Sequence, residues 1–177
     1  SLWRSCDELR GGMDASQYKD YVLVLLFMKY VSDKAASQKG YLLDVPKGAG
    51  FKDMVALVGD KEIGDKINKI IAKLAEANDL QKVIDQADFN DEEKLGKGKE
   101  MQDRLTKLVS IFSDLDFKGS RAEGDDLLGD AYEYLVGKFA DVTRRNKAGE
   151  FYTPRSVVRM MVEMLDPKEG ESIYDPA

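Results

Sequence analysis

The sequence predicts a mainly α protein: an N-terminal helical domain, then the truncated start of an α/β domain. Three observations carry that expectation. Apolar residues recur at helical spacing through the first ~145 positions. No long alternating run precedes Ser172, so a substantial sheet before that point is not expected. From Gly149 onward the pattern changes to loop, helix, turn and an incoming strand, as at the entry to an α/β sheet.

Taken in order, a short helix is expected over residues 2–10, ended by Gly11-Gly12. Asp14 then caps a second helix, with Gln17 three positions on in a capping-box-like arrangement. That helix runs to about Gln38 and stops before Gly40. Residues 21–28 are apolar on nearly every face, which predicts a helix buried all round, the spine of the core and its main source of stability. Residues 40–50, with Pro46 and several glycines, read as a loop. A short helix follows over residues 51–58. Ile63, Ile67, Ile70, Ile71 and Leu74 then share one face of a helix ending near Asn78. Residues 85–99 are polar, contain Gly96 and Gly98, and read as loop. Met101, Leu105, Leu108, Val109 and Phe112 mark a further amphipathic helix. Leu128, Ala131, Tyr132, Leu135 and Phe139 mark another, capped by Asp125. Last, Thr153 is a good N-cap and Pro154 suits the first helical position. Val157, Val158, Met161, Val162 and Leu165 form the face of that helix, Asp166-Pro167 stops it, Gly170 allows a turn, and residues 172–174 read as a strand.

Composition narrows the function classes. The chain has 177 residues, 43% hydrophobic and 34% charged, with a formal net charge of -6. That is globular composition and not that of a wholly basic nucleic-acid binder. Positive charge is concentrated in residues 138–159, where Lys138, Arg144, Arg145, Lys147, Arg155 and Arg159 face only Asp141 and Glu150. Arg144, Arg145 and Lys147 are therefore candidates for DNA phosphate contact, with a solvated loop as the competing reading. There is no histidine, which removes the commonest general base and most transition-metal sites. A single cysteine, Cys6, excludes an internal disulfide and a cysteine metal cluster; it fits a small buried hydrophobe. No metal site is expected. No apolar run reaches the ~18 residues of a membrane span, and no signal-peptide pattern opens the chain. A cytoplasmic protein without membrane contact is expected.

Two motifs carry the chemistry. Phe151-Tyr152-Thr153-Pro154 opens a helix whose first N–H groups lack internal partners and favour a carboxylate. It also fits an ordinary capped helix with a hydrophobic staple. Tyr174-Asp175-Pro176-Ala177 ends a strand at the place where open α/β sheets bind ligands, and it also fits a plain Asp-Pro turn.

Together these motifs are more specific than either alone. Residues 149–159, Gly-Glu-Phe-Tyr-Thr-Pro-Arg-Ser-Val-Val-Arg, followed by Tyr174-Asp175-Pro176-Ala177, resemble the modification (DNA methyltransferase, M) subunit of type I restriction–modification systems. The front end is similar to that family too, in Leu2-Trp3-Arg4-Ser5-Cys6-Asp7-Glu8-Leu9-Arg10-Gly11-Gly12-Met13-Asp14 and in residues 18–33. The resemblance is weak over residues 79–125. It implies a helical N-terminal domain at residues 1–146 and, at 147–177, the beginning of a Rossmann-like catalytic domain. It further implies S-adenosylmethionine as cofactor, adenine in DNA as substrate, and a specificity (S) subunit and a restriction (R) subunit as partners. Phe151, Tyr152, Thr153 and Pro154 would line the methionine side of the cofactor, and Asp175, Pro176 and Ala177 would begin the cofactor loop. The chain reads as the front part of a larger enzyme. It contains no Pro-Pro pair, so the motif that holds a flipped-out adenine is missing, no catalytic residue is expected in these residues, and no methyl transfer is expected from them alone. Two other readings stay open: a non-catalytic helical interaction module, and the start of an α/β enzyme with another nucleotide cofactor.

Overall fold

The computed structural model describes residues 11, 13, 15–118, 155–168, 170–172 and 174. They form six helices: α1 (Ala15–Ser37), α2 (Phe51–Val55), α3 (Ile63–Ala77), α4 (Glu92–Leu95), α5 (Lys99–Ser113) and α6 (Arg155–Leu165). No strand occurs among the described residues, so the mainly α expectation holds there. The expected helices at residues 2–10 and 125–139, the cap at Asp14 and the reading of Cys6 lie outside the described residues. The chain divides into two compact units, Ser1–Thr143 and Arg144–Ala177.

In the first unit α5 is the hub. It packs against α1, α2, α3 and α4, and the face predicted for it, Met101, Leu105, Leu108, Val109 and Phe112, is buried. α3 does the same with Ile63, Ile67, Ile70, Ile71 and Leu74. These two helices follow the pattern because each has a narrow apolar stripe and one place to bury it.

α1 departs from expectation. Tyr18, Tyr21, Val22, Leu25, Leu26, Met28 and Val31 are buried, but Leu23, Val24, Phe27 and Tyr30 are only half-buried. The helix is not enclosed on all sides, because among the described elements it packs chiefly against α2 and α5, which cover one side of it. An all-round apolar helix therefore spends part of its surface at the rim of the core.

The polar stretch expected as loop at residues 85–99 is also corrected. It contains α4, capped by Asp91, whose side chain accepts from the N–H groups of Glu93 and Lys94 at 3.0 and 3.1 Å. It also inserts Phe89 and Leu95 fully into the core. Phe89 meets the Tyr21 ring edge-on at 5.1 Å, and the Tyr21 hydroxyl donates to the Asp88 carbonyl at 3.1 Å. Asn68 on α3 holds the same stretch from the other side: it accepts from the Phe89 N–H at 2.9 Å and donates to the Asp88 carboxylate at 2.6 Å. Gly64 lets this backbone lie directly on α3, since a Cβ there would stand 2.3 Å from the Phe89 carbonyl oxygen.

In the second unit α6 ends where Asp166 adopts φ +46° ahead of Pro167. Proline disfavours continued right-handed helix at the residue before it, so the stop follows the sequence signal. Gly170, at φ +87°, makes the expected turn. Ser172 and Tyr174 lie outside any strand, in keeping with the need of a strand for a ladder partner.

Candidate functional site

α6 is the element into which the expected cofactor segment leads. It begins at Arg155, directly after Thr153-Pro154 in the chain. Its first backbone N–H groups have no acceptor within the helix, and its dipole places partial positive charge at that end. Val157, Val158, Met161, Val162 and Leu165 form the predicted face and are exposed, Leu165 at 76%. On the polar side Arg159 pairs with Glu163 at 3.1 Å, one turn apart. The residues expected to line the pocket, Phe151, Tyr152, Thr153, Pro154, Asp175, Pro176 and Ala177, lie outside the described residues. So do the expected phosphate contacts Arg144, Arg145 and Lys147.

The described residues assemble a second polar centre, between α1 and α2. Lys29 and Asp33, one turn apart on α1, are buried and joined at 2.9 Å. The other Asp33 oxygen accepts from the Phe117 N–H at 3.0 Å, which fixes the chain beyond α5 to α1. Tyr30 adds an edge-on contact to the Phe117 ring at 5.7 Å. Ser32 accepts from the Phe51 N–H at 2.7 Å, capping α2 from a different helix. Asp53 closes the same end by accepting from the Gly50 N–H at 3.0 Å. Beside this centre lies a cleft of about 490 Å³, reached by Lys29, Ser32, Phe51, Lys52 and Lys118.

Sequence reasoning assigned no role to Lys29, Ser32 or Asp33. The readable signal was an opposite-charge pair four residues apart directly after the apolar run of residues 21–28, which has to be paired if buried. One more group is strongly perturbed. Burial, and then the carboxylates of Asp91, Asp88 and Asp20, push the Tyr21 phenol up to about 12. With its hydroxyl bonded to the Asp88 carbonyl, Tyr21 is a neutral structural donor rather than an acid.

Known proteins match this chain in two consecutive pieces. The family described as HsdM N-terminal domain matches residues 1–112, and the family described as N-6 DNA Methylase matches residues 123–177. The chain belongs to the type I restriction–modification methylase subunits. It is similar to the StySJI methylase subunit of Salmonella typhimurium and the EcoKI methylase subunit of Escherichia coli, at 30% identity to each. Both alignments cover 99% of this chain and 31% of the relative, so the chain spans about a third of the length of these methylase subunits. The crystal structure of a type I methyltransferase subunit from Streptococcus thermophilus superposes with a TM-score of 0.67 at 26% identity. It covers 92% of this chain, which covers 42% of that one. The helical architecture is thus that of the N-terminal part of a methylase subunit. Among the described residues no helix is long and apolar enough to cross a membrane.

Proposed function

We propose that the chain is the N-terminal portion of a subunit that uses S-adenosylmethionine to methylate the exocyclic amino group of adenine in DNA. The observation that carries this is the succession of the two family matches, the second of which begins ahead of the Phe151-Tyr152-Thr153-Pro154 segment and α6. Residues 1–146 act as the helical domain that assembles with the specificity and restriction subunits and closes on DNA, in the cytoplasm. Residues 147–177 begin the catalytic domain.

When bound, the cofactor supplies a methyl group on a sulfonium. Adenine's amino group is a poor nucleophile, so the base must be unstacked and held in line with that methyl. This chain contributes positioning. Thr153 and the N–H groups at the start of α6 hold the methionine carboxylate, where an anion is favoured. Phe151 and Tyr152 pack beside the cofactor with Pro154, and Asp175, ahead of Pro176 and Ala177, is acidic ligand support rather than a catalytic base. Arg144, Arg145 and Lys147 touch DNA phosphate without choosing sequence.

Calorimetry on the full-length subunit tests the site. Thr153→Ala should weaken cofactor binding by roughly 1 kcal/mol, the net value of one hydrogen bond, and by more if the bond is charge-assisted. Unchanged affinity would remove Thr153 from the pocket. Replacing Arg144, Arg145 and Lys147 by alanine should flatten the salt dependence of DNA binding in the assembled enzyme; an unaltered slope makes the cluster a plain surface loop.

A further inference from the structure

The cleft beside Lys29 is used by neither the proposed cofactor wall nor the proposed phosphate contacts. Its walls are largely apolar, built from Ala35, Ala36, Val45, Pro46, Phe51 and Val55, and Val55 is 38% exposed. Its rim is cationic. Lys47, Lys52 and Lys118 line it, are exposed, and form no ion pair with any described residue. The carboxylates facing it are already engaged: Asp33 by Lys29 and the Phe117 N–H, Asp53 by the Gly50 N–H. With Asp33 paired by Lys29, the three rim ammonium groups outweigh the one remaining carboxylate, Asp53, and give a local positive potential on a chain of net charge -6.

We propose that this cleft docks a short acidic peptide segment carrying apolar side chains, presented by a partner protein. Two features favour a peptide over DNA. The apolar wall rewards burial of a hydrocarbon side chain, which a phosphate backbone does not offer. An extended polyanion would also meet the rest of a chain of net charge -6, whereas a short segment meets only the lysine rim. The volume, about 490 Å³, suits a few side chains.

The test is fluorescence anisotropy on the 177-residue chain with a labelled peptide Glu-Asp-Leu-Phe-Glu-Asp. Controls are the same peptide with Leu and Phe replaced by Ser, and a short labelled DNA duplex. Saturable, salt-sensitive peptide binding is expected, about tenfold weaker for the Ser peptide because its buried apolar area is lost. Lys47→Glu/Lys52→Glu/Lys118→Glu should cost at least about tenfold by placing like charges against the ligand. These three side chains are exposed, so circular dichroism should be unchanged; if the triple variant fails to fold, Val55→Asp replaces it with the same expected loss. Absence of saturable peptide binding, equal binding by the variant, equal binding of the Ser peptide, or tighter binding of the duplex would each overturn the proposal.

Discussion

Replacing Gly64 by alanine tests whether the stretch around Phe89 is part of the core or a loose cover. The added Cβ would meet the Phe89 carbonyl oxygen at 2.3 Å, the Phe89 carbonyl carbon at 3.0 Å and the Asn90 Cα at 3.1 Å. All three are backbone atoms, so no rotamer change relieves the contact. The backbone cannot lift freely either. Asn68 and Tyr21 hold Asp88 and Phe89 by hydrogen bonds, and the Phe89 ring is fully buried. Two effects oppose each other. Alanine gains about 1 kcal/mol over glycine in a helix interior, and at most that at Gly64, the second residue of α3. Overpacking a tight site costs about 1–3 kcal/mol, and here the upper end applies because main chain must move. The net is a destabilisation of about 2 kcal/mol, read as a lower urea midpoint and a fall of about 4–8 °C in Tm for a chain of this size. Circular dichroism on the 177-residue chain measures both. Ala72→Gly, on the exposed side of α3 and in its interior, sets the upper limit of the propensity effect at about 1 kcal/mol. A Gly64→Ala variant as stable as the parent, or more so, would show that the close approach of residues 88–90 to α3 is wrong.

Two further outcomes follow from the buried polar groups. Asp33→Ala strands the Lys29 ammonium and the Phe117 N–H in the interior and should cost about 3–5 kcal/mol in urea denaturation; a loss below about 1 kcal/mol would mean that both groups reach water. Tyr21 holds its proton more tightly in the folded chain, at about 12 against an ordinary 10.0, so its contribution is fully present below pH 10 and is lost as pH rises through that window to about 12. Stability of the parent should therefore fall faster over that window than stability of Tyr21→Phe, and in absorbance titration the variant should lack a late-titrating tyrosine while Tyr41, also raised by burial, remains. Identical slopes for the two proteins would place the Tyr21 hydroxyl in solvent.

Much of this fold is legible in the order of residues. Ile63 to Leu74 and Met101 to Phe112 mark α3 and α5 because a periodic apolar stripe has one stable solution, burial against a neighbour. The stops before Gly40 and at Asp166-Pro167 are local backbone chemistry, which needs no partner to act. Kinship with methylase subunits is equally legible, because it rests on motifs near both ends of the chain. Tertiary structure decided the rest. Phe89 and Leu95 are lone apolar residues in a polar run, and no period marks them; only Gly64, Asn68 and Tyr21, distant in sequence, turn that run into core. α1 looks buried on every side, yet how much of it is covered depends on which helices reach it. Local propensity, periodicity and the one-turn pairing of Lys29 with Asp33 act over a few residues, whereas enclosure and the bond from the Phe117 N–H to Asp33 arise only when α1 and the chain beyond α5 meet.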